Sequence, residues 1–382
     1  MQKTFDFAIV GAGCFGAWCA HELIEAGYKV ALIEMHGPAH SRASSGGESR
    51  IIRMGYGPDE LYTRWSVQSL REWQALSQRL RAPVFHRTGM LWLAGADDTY
   101  VRQTQATLRG AGVAQQRLSR DELAQKFPQI HNEDIAWALW EPGSGVLMAR
   151  QAVQALVTDC LGRGLAYRHA RVLPPTDAVP LDGIVATDGT RISAGAYVFA
   201  CGPWLPKLFP ELLAQRIFPT RQEVYFFGTP PGDDAFGVPA MPAWFHHPEL
   251  VYGVPDIEHR GFKISIDKHG PAFDPDDGLR LPDGGGLAAA RAYLERRFPK
   301  LKNAPVTESR VCQYENTANG DFLIDRHPGN ERVVIAGGGS GHGFKHGPAV
   351  GAYVARLLTA NLPPEPRFAL AHKPAAPARS VY

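Results

Sequence analysis

The pattern of apolar runs predicts an α/β plus α+β chain, in which a parallel sheet wound with helices alternates along the sequence with an antiparallel sheet. Three observations predict it. A strand, a helix and a second strand follow one another within the first 34 residues. Short apolar runs of the same kind return at residues 197–200 and 332–336. Between them lie segments whose apolar residues alternate with period two, as in half-buried strands.

Residues 5–10 are apolar and stop at Gly11, so they read as a buried strand. Helical periodicity runs over 14–26 and ends at Gly27, a natural stop, and residues 29–33 form a second apolar run closed by Glu34. This order is the βαβ unit of a parallel sheet. Residues 40–48 form a Ser/Gly-rich loop, with Arg42, Arg50 and Arg53 in it or just after it. Residues 61–80 predict a long amphipathic helix with Trp65, Leu70, Trp73, Leu76 and Leu80 mostly on one side. Residues 90–93, 136–139 and 225–227 are assigned to strands of a second sheet, and 149–161 to a helix.

Strand-like runs and turns alternate from 221 to 267. In the clearest run, 262–267, Phe262, Ile264 and Ile266 face one way while Lys263, Ser265 and Asp267 face the other. The Asp/Gly/Pro-rich stretch 271–286 predicts a loop, 288–298 a helix, 310–314 a strand, 337–347 a glycine-rich turn and 350–360 a helix. The last twenty residues, rich in Pro and Ala, predict a poorly ordered tail. In this reading segments 1–86, 144–219 and 308–382 make one domain, and 87–143 with 220–307 make a second.

Composition narrows the class. A chain of 382 residues, 45% hydrophobic and 20% charged, buries a core without needing a disulfide or a metal. Forty basic against 38 acidic residues give no charge excess that would suit nucleic acid or an anionic membrane. The 14 histidines show no paired metal-ligand spacing. Five cysteines at irregular spacing do not form a secreted disulfide framework and predict a reducing compartment. Little room for a signal peptide precedes the first apolar run, and no stretch approaches the ~20 apolar residues of a membrane span. The expectation is a cytoplasmic monomer or small homo-oligomer.

Gly11-Ala12-Gly13-Cys14-Phe15-Gly16 is a G-x-G-x-x-G run that leaves a strand and opens a helix. In that context the first glycine allows the tight turn. The second admits a pyrophosphate to the backbone, and the third lets helix and strand pack closely. The helix N-terminus offers free N–H groups to phosphate. Glu34, at the end of the second strand, stands where a carboxylate grips ribose hydroxyls. The unit is thus Rossmann-type and binds the ADP half of a dinucleotide, with FAD and NAD both open.

Further segments carry a family resemblance. The run Ser49-Arg50-Ile51-Ile52-Arg53, behind its Ser/Gly loop, resembles the flavin-contacting loop of the monomeric sarcosine oxidase and N-methyltryptophan oxidase family. So does Glu141-Pro142-Gly143-Ser144-Gly145-Val146-Leu147. Val311-Cys312-Gln313-Tyr314 is similar to the family's covalent flavin attachment segment, and Gly339-Ser340-Gly341-His342-Gly343-Phe344-Lys345 to its C-terminal active-site loop. Ala200-Cys201-Gly202-Pro203-Trp204 is similar to its small-residue turn after a buried strand. The resemblance spans almost the whole chain in order. It implies a Rossmann-type FAD-binding domain with an interleaved antiparallel-sheet substrate domain laid over the flavin ring.

What the resemblance implies can be placed residue by residue. Gly11, Gly13, Gly16, Glu34, Ser44, Ser45, Ser49, Arg50, Val172, Gly341, Gly343, Phe344 and Lys345 would hold FAD, and Cys312 would bond its 8α-methyl carbon. A thiolate is the required nucleophile for that bond; the competing reading is an inert buried cysteine. Arg53 and Lys345 would clamp a substrate carboxylate. Lys263 would activate O₂, Arg50 would lie above the flavin ring, and Tyr252 and Tyr314 would border the substrate. Asp267 stands where sarcosine oxidases carry a histidine, which predicts a substrate larger than sarcosine or one bearing a basic or hydroxyl group; His269 lies two residues on.

The implied reaction is oxidation of a secondary amine or of an N-substituted or cyclic amino acid, sarcosine-like, N-methyl or pipecolate-like, to an imine and hydrogen peroxide. The free amine is the reactive form, and a site holding Arg53 and Lys345 lowers its pKa from about 10. The flavin does the redox chemistry, and the helix beginning near Lys345 would turn its positive end to the flavin. Two alternatives stay open: an FAD-dependent D-amino-acid dehydrogenase, and an FAD-bearing subunit of a larger oxidoreductase complex.

Overall fold

The computed structural model describes residues 4–175, 183–360 and 362–374. Phe5–Val10 lies inside a six-stranded sheet whose order is Leu323–His327, Asn330–Gly337, Ala194–Phe199, Phe5–Val10, Val30–Glu34, Ala166–His169. The strands are parallel except Leu323–His327, which returns antiparallel on Asn330–Gly337. Its inner strands read as unbroken apolar runs because both faces are covered. Phe7 and Ile9 enter a core with Trp18, Trp73, Val153 and Val350 from four helices. Ala8 and Val10 enter another with Leu205, Leu213 and the short Ile184–Val185/Arg191–Ile192 hairpin. Those helices are Cys14–Glu25, Glu60–Leu80, Ala149–Gly162 and Gly347–Thr359.

An eight-stranded sheet runs Val306–Asn316, Phe218–Phe227, Phe262–Ile266, Val251–Val254, Ala243–His246, Met90–Ala94, Trp137–Glu141, Gln116–Leu118. It is antiparallel apart from the Ala243–His246/Met90–Ala94 pair. All three segments expected in a second sheet belong to it. Phe262 and Ile264 pack with Trp244, Phe298 and Tyr293 under the helix Gly284–Arg297. Lys263 therefore points to the opposite face, as the alternation requires. A three-stranded sheet, Ser49–Ile52 with Gly145–Met148 and Phe85–His86, lies at the junction.

Three expectations change. The helix expected from 288 begins at Gly284, because the Asp283 carboxylate accepts from Gly286 N–H at 2.8 Å; a cap outweighs the poor helix propensity of three glycines. The strand expected at 310–314 extends over Val306–Asn316 and pairs with all of Phe218–Phe227. Residues 363–374 of the expected tail are held down: Phe368 is fully buried, Arg367 bonds Asp59 and Asp321, and Lys373 is buried. Residues 375–382 lie outside the described residues. Among the described residues no helix is long and apolar enough to cross a membrane.

Candidate active site

The carboxyl ends of the parallel strands open onto one groove, at the point where chain order reverses around Phe5–Val10. Val10, Ile33, Ala200 and Ala336 form its floor, and its cavity is about 470 Å³. At one end lies the glycine fingerprint. Gly11 has φ +103°, and a Cβ there would stand 2.4 Å from the Ala200 carbonyl oxygen; a Cβ on Gly16 would stand 1.9 Å from the Gly11 oxygen. Gly13 precedes the first helical residue, and Ser45 Oγ accepts from Cys14 N–H at 3.0 Å, tying the Ser/Gly loop to the helix N-terminus. Glu34 lines the groove while its oxygens accept from the N–H groups of Ala12 and His36, each at 2.8 Å. Val172 and Ser44 also line it, and Ser44 Oγ is buried with no partner among the described residues. Glycine edges, a helix start and an orphaned hydroxyl along a groove closed by Cys312 fit an extended dinucleotide.

A second cavity of about 90 Å³ adjoins this end, and Arg50, Cys312, Tyr314, Gly341 and Phe344 line both. Arg53, Tyr252, Lys263, Asp267 and Lys345 line the second together with apolar Met90 and Phe245. Three elements from distant parts of the chain meet here. Arg53 follows the Ser49–Ile52 strand, Lys263 and Asp267 come from the middle of the eight-stranded sheet and the residue after it, and Lys345 ends the glycine-rich turn.

Charge is concentrated and buried. Arg53 is 7% exposed, bonds the Gly55 carbonyl, and lies 4.5 Å from the Tyr56 ring and 4.7 Å from the Trp92 ring. Lys345 Nζ donates to Tyr56 Oη at 2.8 Å and to the His342 carbonyl at 2.9 Å. Burial, reinforced by Arg53, holds the Lys345 ammonium pKa well below its ordinary value. Lys263 Nζ donates to the Ser49 carbonyl at 2.9 Å; burial, then the nearby Arg50 charge, push its pKa down to about 7. Arg50 bonds the same carbonyl and places its guanidinium nitrogen 3.4 Å from Cys312 Sγ. Asp267 accepts from Tyr314 Oη at 2.7 Å, and burial raises its pKa to about 6 against the lowering effects of Tyr314, Arg53 and Lys345. A cationic wall, one carboxyl group and aromatic sides suit a small molecule carrying both a carboxylate and an amine.

The groove and the smaller cavity between them gather the residues expected to hold FAD and substrate except Gly16, Ser49 and His269. Gly16 acts through packing against Gly11, and Ser49 acts through its carbonyl. The Glu141–Leu147 run lines neither cavity. Its strand pairs with Ser49–Ile52, and Glu141 accepts from Met54 N–H, Ser144 Oγ and Trp92 Nε1, so it props the Arg53 segment from behind. His269 stacks edge-on to Tyr314 at 6.4 Å. Sequence reasoning missed Tyr56, whose hydroxyl contacts Lys345, His342 and His346, and Glu315, a buried carboxyl lining the groove. Glu315 continues the buried face of Val311 and Gln313 with period two along its strand, a cue overshadowed by Cys312 and Tyr314.

Comparison with known proteins gives the family. Residues 6–357 match the family described as DAO, FAD dependent oxidoreductase. The chain is 30% identical over 366 residues to monomeric sarcosine oxidase of Bacillus sp. (strain B-0618), covering 94% of this chain and 93% of that protein. It is 31% identical to the peroxisomal sarcosine oxidase of Homo sapiens, over 93% and 92% of the two chains. N-methyl-L-tryptophan oxidase of Salmonella arizonae is 27% identical over 94% and 96%. The fold of L-proline dehydrogenase from P. horikoshii superposes with a TM-score of 0.84 at 22% identity, covering 97% of this chain and 98% of that one. With the dinucleotide groove and the adjoining cationic cavity in place, the chain belongs to the FAD-dependent oxidoreductase family, in its branch of sarcosine and N-methyltryptophan oxidases, and is a flavin enzyme of the amine-oxidising kind.

Proposed function

We propose that this enzyme oxidises a secondary amine, specifically an N-substituted or cyclic amino acid, to the imine, with O₂ as acceptor and hydrogen peroxide as product. The observation that carries the reading is the pair Arg53 and Lys345 on one wall of a small buried cavity that shares Cys312 and Tyr314 with the dinucleotide groove. FAD supplies the two-electron acceptor when bound. Gly11, Gly13, Gly16, Glu34, Ser44, Ser45 and Val172 would hold its ADP half. Gly341, Gly343, Phe344 and Arg50 would border its ring, with Cys312 as the covalent attachment point. In the corresponding division of labour, segments 1–86, 144–219 and 308–382 carry the cofactor, and 87–143 with 220–307 cover the substrate.

The chain's own groups do the rest. Arg53 and Lys345 orient the carboxylate, and an incoming anion offsets the burial and the Arg53 charge that hold the Lys345 pKa down, favouring its ammonium form. The same positive wall disfavours the protonated amine, leaving its lone pair available. Tyr252 and Phe245 exclude water, and Asp267 with Tyr314 faces the amine side. Lys263, held by Ser49, offers a cation where O₂ becomes an anion. A peroxide assay under air with sarcosine, N-methyl amino acids and pipecolate tests the proposal. Turnover with stoichiometric peroxide is expected, with KM raised about 100-fold in Arg53→Met by loss of a charge-assisted bond worth about 2–3 kcal/mol. Turnover that needs an added electron carrier and yields no peroxide contradicts it.

A further inference from the structure

Glu315 occupies a position that the proposed chemistry does not use. It lies near the end of the Val306–Asn316 strand, next to Tyr314, and its side chain turns into the dinucleotide groove. Around it the groove is built of small residues and backbone. A Cβ on Gly337 would stand 3.4 Å from Glu315 Oε2, one on Gly202 3.5 Å from it, and one on Gly339 3.2 Å from Oε1. Oε1 accepts from Gly339 N–H at 3.2 Å. Oε2 has no hydrogen-bond partner among the described residues, although Glu315 is only 8% exposed.

An ionised carboxylate at this depth loses its hydration with no counter-ion to offset the loss. No ion pair of Glu315 occurs among the described residues. Among the described residues Glu315 and the Glu34 carboxylate both act on the Cys201 thiol, and neither of these neighbours supplies Glu315 with positive charge. Burial raises the Glu315 pKa to about 7, only partly opposed by the N–H groups of Gly339 and Gly338. The groove is also the place where a dinucleotide brings its phosphates, so an anion at Glu315 would be repelled twice.

We propose that Glu315 is a cofactor-positioning residue that works as a neutral carboxylic acid, donating the hydrogen bond of Oε2 to an oxygen in the phosphate–ribityl stretch of bound FAD. Placement supports that stretch as the target. Glu315 lines the same groove as Cys312 and Tyr314 and touches Gly339, which packs on Gly343 where that residue approaches Phe15 of the fingerprint helix. A neutral acid both donates to an oxygen acceptor and spares the phosphates a like charge. The inference rests on FAD binding alone and is independent of which amine is oxidised.

Linkage gives the sign. A proton held more tightly with cofactor than without makes FAD affinity greatest below the free-protein pKa of about 7 and weaker as pH rises above it, by up to tenfold per pH unit. The test uses the full chain with Cys312→Ser, so that no covalent bond masks affinity, and measures FAD binding by quenching of flavin fluorescence at pH 6 and pH 8.5. The parent is expected to bind FAD about tenfold or more weakly at the higher pH. Adding Glu315→Gln, an amide with a permanent donor, should keep the tight value and flatten the pH dependence. Glu315→Ala should bind weakly at both. A glutamine variant that retains the parent's pH dependence, or that binds tenfold weaker than the parent at pH 6, overturns the proposal. The glutamine comparison decides it even if the alanine variant fails to fold. Loss of amine turnover with this pH pattern intact would indict the proposed reaction and leave the role of Glu315 standing.

Discussion

Lys263 and Cys312 meet at one peptide. The lysine ammonium and the Arg50 guanidinium share the Ser49 carbonyl, and the other arm of Arg50 reaches the Cys312 sulfur. A cation that is to assist O₂ must stay protonated, yet burial has brought Lys263 down to about 7. With no cofactor bound, Lys263 is mostly charged below that pH and mostly neutral above it, and a negative charge beside it moves the transition upward. Flavin reoxidation by O₂ should therefore slow as pH rises through the lysine's pKa. In Lys263→Met it should be about 100-fold slower or more and flat with pH, while anaerobic reduction by substrate changes little. Stopped-flow mixing of reduced enzyme with O₂ measures both. For Cys312 the expected outcome is simpler. Wild-type protein denatured and filtered should retain its yellow colour, and Cys312→Ser should release it.

At the scale of elements, the fingerprint glycines differ in what they permit. Gly16 faces the Gly11 carbonyl so closely that a methyl group has no room, and both partners are backbone. Gly27 ends the same helix at φ +85° with open space around it. Gly16→Ala should cost about 1–3 kcal/mol of overpacking and lower flavin content. Gly27→Ala should pay only for its φ, about 1 kcal/mol, and keep its flavin. Thermal melts with flavin-to-protein ratios separate the two. The βαβ unit was legible because every level agreed: apolar runs, a helix stop and an acid at the strand end. The alternation of 262–267 was equally legible, since one face meets aromatic core and the other meets the cavity. The start of Gly284–Arg297 was not, because three glycines conceal a helix whose cap is Asp283. Nor was the packed segment 363–374, whose composition suggests disorder while Phe368 meets Tyr62 and Trp65 and Leu370 packs on the sheet's other core.

Across the whole molecule, the site is assembled from residues nearly three hundred positions apart, and the interleaving of the two sheets brings them together. Spacing along the chain did not reveal Tyr56 joining Lys345 to His342 and His346, since no local motif encodes that contact. The Glu141–Leu147 run acts from behind the site because its strand pairs with Ser49–Ile52 and Glu141 holds the Met54 N–H. Fold and cofactor groove follow from patterns within segments; the substrate cavity depends on how segments meet. Its cationic wall, its buried carboxyl and its border with the cofactor groove all predict direct transfer of electrons from an amino acid to the flavin. The decisive measurement is the visible spectrum of the holoenzyme mixed anaerobically with N-alkyl and cyclic amino acids. The account predicts bleaching of the flavin band by at least one of them, prompt recovery on admitting O₂, and no bleaching by the matching amines that lack a carboxylate. Bleaching that is indifferent to the carboxylate, or a flavin that none of these compounds reduces, would contradict it.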